Sequence, residues 1–353
     1  MNLYENKGYV EDLEYVASLN LPWEKLKDNS ILISGATGLI GSFIIDVIML
    51  KNKEDLNCKI YALGRNKEKA ERRFLYGKEK DDLFEFVQYD INKPLVRDDI
   101  GKIGYVLHLA SNTHPMQYSL DPIGTITTNI FGTYNMLEFA LAHDADRSLF
   151  TSSNEIYGEN RGDVEMFDEH YCGYIDSNTL RAGYPESKRA SEALCQAYIR
   201  QHDMDIVVPR PTRSYGPTIL KTDTKALSQF INNGVNKEDI ILKSEGNQYF
   251  SYCYIADTVS GLLTILLKGE KGEAYNIAHE ASDIRLKDLA KIIADYVGTK
   301  VVFDLPDEVE AAGYSKATKA RLDGTKLMNL GWKPKYDIRT GIEKTIEILR
   351  EIS

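Results

Sequence analysis

The sequence has few of the residues that build disulfide frameworks and metal centres. It contains four cysteines and six histidines in 353 residues, and neither set shows the paired spacing of metal ligands. The cysteines stand apart at positions 58, 172, 195 and 253, which favours reduced thiols over disulfides or zinc. We therefore expect no bound metal.

A secretory leader and long apolar runs are also absent. Residues 1–16 lack a basic region followed by an apolar core. The apolar run Leu39–Leu50 is shorter than the roughly 20 residues that a helix needs to cross a bilayer. The formal net charge of -10 argues against broad binding to nucleic acids or anionic membranes. We therefore expect a cytoplasmic protein whose partners are neither nucleic acid nor membrane.

The chain does have length and a repeating βαβ pattern. Its hydrophobic fraction of 43% and charged fraction of 27% are typical of folded soluble proteins, and 353 residues exceed the usual single domain. Apolar β-like runs alternate with helix-compatible stretches. The runs are Ser30–Ser34, Lys59–Leu63, Glu85–Tyr89, Tyr105–Leu109, Ser148–Ser152 and Asp205–Pro209. This alternation predicts an α/β fold with a Rossmann-like, doubly wound parallel sheet.

The pattern changes after Arg210, where turn signals and short strands become frequent. We predict a dinucleotide-binding Rossmann domain over residues 30–210 and a smaller, interleaved α/β substrate-binding domain over residues 211–353. Segments at about 252–280 are expected to return to the Rossmann domain. Residues 1–29 are expected to form an N-terminal helical extension.

A glycine-rich turn occupies Ser34–Gly41, which reads SGATGLIG between the apolar runs Ile31–Ile33 and Leu39–Leu50. Its three glycines permit a tight turn, close approach to a pyrophosphate, and close packing of a helix on the sheet. Their spacing differs by one residue from the usual dinucleotide fingerprint, and glycines also simply end strands. The order strand, turn, helix predicts a dinucleotide site.

Tyr184 and Lys188 are four residues apart in a helix-compatible stretch, so their side chains share one face. A phenol is a poor base near neutral pH, and a nearby ammonium lowers its pKa. With Ser153 bound to the reacting oxygen, this set suits proton removal from a sugar hydroxyl while a hydride leaves for a nicotinamide. The alternative is a solvated helix face, where this pair is common.

Four separated segments occur in the order typical of one known family. They are His108–Leu137, RAGYPESKRASE at 181–192, RPTRSYGP at 210–217 and the late LGWKP. On these motifs the chain resembles the extended short-chain dehydrogenase/reductase superfamily and, within it, the UDP-glucuronate decarboxylases. The resemblance covers roughly residues 30–350.

The resemblance implies a tightly held NAD, with the glycine turn at the pyrophosphate and Lys188 at the nicotinamide ribose. Asp90 and Ile91 would flank the adenine. The full predicted cofactor set is Gly35, Thr37, Gly38, Leu39, Ile40, Gly41, Arg65, Asp90, Ile91, Leu109, Ala110, Ser111, Asn129 and Lys188.

On the substrate side, the resemblance implies that Pro115, Tyr118 and Arg321 face a sugar nucleotide. Ser153 and Tyr184 would bind and deprotonate its 4-hydroxyl. The sugar nucleotide is the only partner implied apart from a second copy of the chain.

Glu155 follows Ser153 by two residues, as in the decarboxylases and 4,6-dehydratases and unlike the simple 4-epimerases. Asn154 stands where the dehydratases carry an acid, and an amide cannot supply that proton. The implied catalytic set is therefore Ser153, Glu155, Tyr184 and Lys188. The implied reaction is decarboxylation of UDP-glucuronate to UDP-xylose or its 4-keto intermediate.

The chain departs from the family in three places. No acid follows the second strand, and Arg65 there could meet a 2′-phosphate, so NADP is an alternative cofactor. Phe250 stands where relatives place an arginine on the diphosphate. Arg213, which replaces an asparagine of the decarboxylases, could compensate through charge-assisted hydrogen bonds. The changes at Phe250 and Arg213 together suggest a substrate pocket that is rearranged relative to the decarboxylases.

Other functions remain open. A 4-epimerase or 4,6-dehydratase would use the same serine, tyrosine and lysine, whereas a non-catalytic dinucleotide-binding protein need not keep them together. The family also implies a homodimer through the helices Pro122–His143 and Tyr184–His202. Their apolar residues can equally serve core packing.

Overall fold

The structure, a computed structural model, describes residues 2–75, 82–113, 118, 120–220, 223–305 and 318–353. In chain order the strands are β1 (Ser30–Ser34), β2 (Lys59–Gly64), β3 (Phe84–Gln88), β4 (Tyr105–His108), β5 (Arg147–Phe150), β6 (Ile206–Pro211), β7 (Arg213–Tyr215), β8 (Ile240–Leu242), β9 (Tyr249–Tyr254), β10 (Ala274–Ile277), β11 (Asp283–Arg285), β12 (Val301–Phe303) and β13 (Lys319–Ala320). The α-helices are α1 (Lys7–Ala17), α2 (Leu39–Asn52), α3 (Lys67–Arg73), α4 (Pro122–Ala142), α5 (Gly183–His202), α6 (Ala226–Asn236), α7 (Ile255–Lys268), α8 (Leu286–Val297), α9 (Thr325–Asn329) and α10 (Ile338–Ile352).

The first strand of the chain lies in the middle of the large sheet. Its seven strands lie in the order β10-β6-β5-β4-β1-β2-β3, and β1 pairs in parallel with both β2 and β4. From β1 the chain moves outwards to β3, then crosses to β4 and moves outwards to β10 on the other side. The strand order therefore reverses between β1 and β4, the place where open α/β sheets bind ligands. This confirms the predicted Rossmann-like, doubly wound sheet.

The register aligns the carboxyl ends of the central strands. Ser34 at the end of β1 pairs with Leu63 and with His108, and His108 pairs with Phe150. β1 has the bounds that the apolar pattern predicts, whereas β5 ends at Phe150, two residues before the predicted end. The residues after Phe150 are polar and lie beyond the end of β5, so their side chains are available to a site at the strand end.

The later part of the chain forms smaller sheets. Strands β11, β9 and β13 lie side by side, β7 also pairs with β9, and β8 pairs with β12. The segment containing α7 and β10 instead joins the large sheet, where β10 pairs in parallel with β6. The two parts are thus interleaved along the chain. The domain bounds 1–29, 30–210 and 211–353 remain predictions.

The N-terminal helix α1 is part of the core. Asn6 caps it by accepting a hydrogen bond from the N–H of Tyr9 at 2.9 Å, and Tyr9, Leu13 and Val16 are buried. None of the helices in the described ranges combines the length and the apolar character that a membrane crossing requires.

Asp12 on α1 connects distant parts of the chain. Its buried carboxylate accepts hydrogen bonds from the hydroxyls of Tyr254 at 2.5 Å and Tyr336 at 2.6 Å, and lies 3.1 Å from Lys344 Nζ. Burial raises the pKa of Asp12, and the bonds from the two tyrosines oppose that rise. The first helix therefore holds β9 and the C-terminal helix together.

We predict that Asp12→Ala lowers the free energy of unfolding by about 3 kcal/mol, because it leaves two buried hydroxyls without their acceptor and removes the closer of the two carboxylates that pair with Lys344. The neighbouring Glu11→Ala is the control, since Glu11 forms only half-exposed ion pairs with Lys7 and Lys344. Its expected cost is about 0.5 kcal/mol or less. Urea unfolding followed by circular dichroism measures both. Equal losses for the two variants would contradict the connecting role of Asp12.

Candidate active site

Three loops meet where the central strands end. They follow β1, β4 and β5, and one hydroxyl joins the first two. Ser34 Oγ lies 2.8 Å from His108 Nδ1 and accepts hydrogen bonds from the N–H groups of Leu109 at 3.1 Å and Ala110 at 3.2 Å. Burial lowers the pKa of His108 to about 3, so its ring is neutral and structural.

The glycine turn has the shape that a pyrophosphate requires. Gly35 has a φ of +71°, and a Cβ there would lie 2.8 Å from the backbone nitrogen of Ala110. A Cβ on Gly41 would lie 2.3 Å from the carbonyl oxygen of Gly35. Neither position has room for a side chain. The turn leads directly into α2, which begins after Gly38, so the backbone N–H groups of the helix start face an open cradle.

Other predicted cofactor residues surround this cradle. Thr37, Leu39 and Ile40 are partly exposed beside it. Asp90 caps the turn after β3 through a bond from the N–H of Asn92 at 3.1 Å, and Ile91 is buried. Arg65 is exposed just beyond β2. The hydroxyls of Thr151 and Ser152, which the sequence did not single out, are buried without a partner among the described residues. These groups fit a dinucleotide.

A chain of hydrogen bonds fixes α5 against α4. Ser111 Oγ donates to Asn129 Oδ1 at 2.7 Å, Asn129 Nδ2 donates to Ser187 Oγ at 2.8 Å, and Ser187 donates to the carbonyl of Tyr184 at 2.8 Å. Asn129 is fully buried, so these bonds are protected from water. Ser111 and Asn129 thus position the start of the helix that carries Tyr184 and Lys188.

The structure brings Ser153 and Tyr184 together in a buried setting. Ser153 Oγ accepts a hydrogen bond from the N–H of Glu155 at 3.2 Å, which leaves its own proton to donate elsewhere. Burial, followed by the charge of Glu155, raises the pKa of Tyr184 to about 12. Hydrogen bonds from Ser153 and Ser111 and the charge of Arg181 oppose that rise.

Lys188 has a different immediate partner from the one that its spacing predicts. Its Nζ donates to the carbonyl of Thr151 at 2.8 Å and lies 4.9 Å from the ring centre of Phe150. Burial lowers the pKa of Lys188 to about 7. The largest influences that lower the pKa of Tyr184 come from Ser153, Ser111 and Arg181 and not from Lys188. The shared helix face is correct, but the ammonium points to the strand end.

Glu155 is held by an arginine that the sequence reasoning missed. Arg181 Nη2 donates to Glu155 Oε2 at 2.7 Å, and its guanidinium lies 5.2 Å from the ring centre of Tyr118. Tyr118 in turn stacks on Tyr184, with ring centres 5.1 Å apart. Arg181 stands three residues before Tyr184 inside a recognised segment, so its position was a usable signal, although its partner was not.

The other predicted substrate residues lie in different surroundings. The guanidinium of Arg213 lies 3.7 Å from the ring centre of Phe250, within electrostatic reach of Glu155. The Nε of Arg321 donates to the buried carboxylate of Asp283 at 2.7 Å, and the contact of Arg321 with the substrate remains a prediction. Pro115 lies outside the described residues. Within the described ranges, no group of three or more His, Cys, Asp or Glu is placed to hold a metal ion.

A model of the NAD dependent epimerase/dehydratase family matches residues 31–278. The chain belongs to this family. The match spans β1 to β10, and with them the glycine turn and the tyrosine–lysine helix. It confirms the resemblance to extended short-chain dehydrogenases/reductases.

Relatives of this epimerase/dehydratase family member cover most of its length. UDP-glucuronic acid decarboxylase 5 of Arabidopsis thaliana is 31% identical over 316 residues, which are 88% of this chain and 86% of the relative. UDP-glucuronic acid decarboxylase 1 of Xenopus tropicalis is 30% identical over 91% of this chain and 72% of the relative.

Solved structures show the same fold at lower identity. The UDP-glucuronic acid 4-epimerase of Bacillus cereus, solved with UDP-glucuronic acid and NAD, has a TM-score of 0.75 at 22% identity and covers 92% of this chain and 100% of that one. The dTDP-glucose 4,6-dehydratase of Streptomyces venezuelae, solved with NAD and TYD, has a TM-score of 0.77 at 22% identity over 91% and 97%.

We predict that Gly35→Ala weakens dinucleotide binding by at least about tenfold, since a methyl group there strikes the backbone of Ala110. Gly298→Ala is the matched control. Gly298 also has a positive φ, +77°, but nothing lies within 4 Å of a Cβ at that position. Both variants should lose about 1–2 kcal/mol of stability from backbone strain alone. Calorimetric titration with NAD tests this, and wild-type affinity in Gly35→Ala would contradict it.

Proposed function

We propose that the protein decarboxylates UDP-glucuronate to UDP-xylose or its 4-keto intermediate through transient oxidation at C4 with bound NAD. The observation that supports this most is the convergence of Ser153, Tyr184 and Glu155 at the carboxyl edge of the large sheet. Curated relatives at 30–31% identity are UDP-glucuronic acid decarboxylases. Asn154 cannot act as the acid that dehydration needs.

The proposed roles at C4 follow from hydrogen bonding. Ser153 donates to the C4 oxygen, because its hydroxyl accepts a hydrogen bond from the N–H of Glu155 and keeps its own proton for the substrate. Tyr184 accepts the hydroxyl proton once its pKa falls, and returns it at the end. NAD, held by the glycine turn and Lys188, would supply reversible hydride chemistry at C4.

The same two residues serve the loss of carbon dioxide. A ketone at C4 makes the neighbouring carboxylate a β-keto acid, so breaking the C5–carboxyl bond moves its electron pair towards the C4 oxygen. Ser153 and the protonated Tyr184 donate hydrogen bonds to that developing oxyanion. The high pKa of the buried phenol favours its protonated, donating form at this step. Lys188 would hold the nicotinamide ribose.

NADP is the second candidate cofactor. Arg65 is exposed at the end of β2, and burial together with the charge of Arg65 lowers the pKa of the nearby Lys69. Two cations at this point suit a 2′-phosphate. Titration with both dinucleotides separates them, and a preference for NADP that Arg65→Ala abolishes would favour NADP.

We predict that the purified protein with NAD converts UDP-glucuronate into a product lighter by one carbon dioxide. Tyr184→Phe should lower turnover by about 100-fold or more, because the proton acceptor is lost. The exposed Tyr174→Phe serves as control and should turn over normally. Mass spectrometry follows the products. Loss of water would indicate a dehydratase, unchanged mass with altered retention a 4-epimerase, and full turnover by Tyr184→Phe would contradict the mechanism.

We further propose that a second copy of the chain covers the outer face of α4. Ile123, Phe131, Tyr134 and Leu141 share this face, and their exposed fractions are 75%, 52%, 47% and 37%. A contiguous apolar face of this kind marks an interaction surface. It lies beside α5, so a dimer would support the helix that carries Tyr184.

Light scattering should give a mass about twice that of the 40.0 kDa chain for the wild type. Phe131→Asp should give the single-chain mass, since it buries a charge in the interface. Phe303→Asp is the control, because Phe303 is equally exposed, at 55%, but lies on β12. A monomeric wild type, or dissociation by the control alone, would refute the α4 interface.

We also propose that the enzyme is cytoplasmic and that its partner is a small molecule and not a nucleic acid. All four cysteines are free, and Cys172 is exposed, which suits a reducing compartment. The net charge of -10 offers no broad cationic surface to a polyanion.

A further inference from the structure

Two arginines of the candidate active site each leave one buried nitrogen unused. Arg181 Nη1 and Arg213 Nη1 are shielded from solvent and have no hydrogen-bond partner among the described residues. Buried donors of charged groups are rarely left unpaired, because water is removed without a replacement. Two such donors at one site indicate a missing acceptor.

Both guanidinium groups are held in place by other contacts. Arg181 is fixed by its bond to Glu155 at 2.7 Å and by the ring of Tyr118. Arg213 lies over the ring of Phe250 on the neighbouring strand, with 3.7 Å between its Cζ and the ring centre. A guanidinium stacked on a ring keeps its edge available for an oxygen. The free nitrogens therefore belong to oriented groups.

The charges at this site do not balance. Among the described residues, the two guanidinium groups share one carboxylate, that of Glu155. The charge of Asp223 also reaches Tyr118, but Asp223 forms an ion pair with Lys225, so one positive charge is left. Burial lowers the pKa of Arg213, and the charge of Arg181 acts in the same direction, so this cation lacks sufficient compensation. One further monoanion would neutralise the cluster.

The location restricts what that anion is. Glu155 lies two residues after Ser153, and Tyr118, against which Arg181 packs, stacks on Tyr184. The free donors therefore lie at the end of the site where the sugar ring reacts. In a hexuronate the carboxylate is attached to C5, next to the C4 that Ser153 and Tyr184 address.

We propose that Arg181 and Arg213 bind the carboxylate of the uronate sugar, one free nitrogen to each oxygen. This inference rests on the proposed function and makes Arg213 the residue that selects an acidic sugar. A neutral hexose, with a hydroxymethyl group in place of the carboxylate, would leave the extra positive charge unpaired. The site should therefore discriminate against it strongly.

The test is calorimetric titration of the NAD-loaded, full-length Tyr184→Phe protein, in which turnover is stopped. UDP-glucuronate, UDP-glucose and UDP are the three ligands. Adding Arg213→Gln should raise the Kd for UDP-glucuronate by about 30-fold or more, while the Kd values for UDP-glucose and UDP change less than about threefold. Arg339→Gln, at an exposed arginine that pairs with Glu343 on α10, should change none of them.

Retained UDP binding also shows that Arg213→Gln is folded. Equal weakening of all three ligands would overturn the inference and assign Arg213 to the diphosphate, and no change for UDP-glucuronate would overturn it as well. These results are distinct from failure of the proposed function. A wild-type protein that binds UDP-glucuronate through Arg213 without releasing carbon dioxide would leave the carboxylate site standing and refute the decarboxylation.

Discussion

The site depends on burying the phenol of Tyr184 and the amine of Lys188, one helical turn apart on α5, at the edge of the large sheet. Burial raises the pKa of Tyr184 to about 12 and lowers that of Lys188 to about 7, so both shifts favour the uncharged forms. The hydrogen bonds that fix α5 offset the free-energy cost of this burial. Asn129 donates to Ser187, and Lys188 donates to the carbonyl of Thr151. The protein alone holds its proton acceptor in the protonated state.

The surrounding architecture serves that arrangement. Parallel strands end together, and the order reverses between β1 and β4, so the loops after β1, β4 and β5 open on one cleft. Gly35 allows the loop after β1 to contact the loop after β4, and Ser34 at the end of β1 accepts hydrogen bonds from two N–H groups of that second loop. The first helix ties β9 to the C-terminal helix through Asp12, which keeps the later sheets, and with them Arg213, next to the cleft.

Much of this could be predicted from the sequence, since the signals are local. Apolar runs predicted six of the seven strands of the large sheet, all but β10. The glycines marked the turn before α2, and the four-residue spacing placed Tyr184 and Lys188 on one helix face. The motifs around them also identified the family. Local periodicity and short motifs can be recognised in a sequence because each depends only on residues that are close together in the chain.

The partners of the charged side chains could not be predicted, because they come from distant segments. Arg181 pairs with Glu155, and Arg321 pairs with Asp283. Lys188 binds a backbone carbonyl, which no residue type signals. The stacking of Arg213 on Phe250 joins two departures from the family pattern that looked independent in the sequence.

The central claim is that Tyr184 becomes a usable base only when a positively charged nicotinamide is bound beside it. The most direct measurement is the pH titration of its phenol by NMR, with ¹³C-labelled tyrosine and Tyr184→Phe for assignment. We expect no titration below about pH 10 in the protein freed of dinucleotide, and a pKa several units lower with NAD bound. A phenol that titrates near neutral pH without NAD, or one that NAD does not shift, would contradict the account.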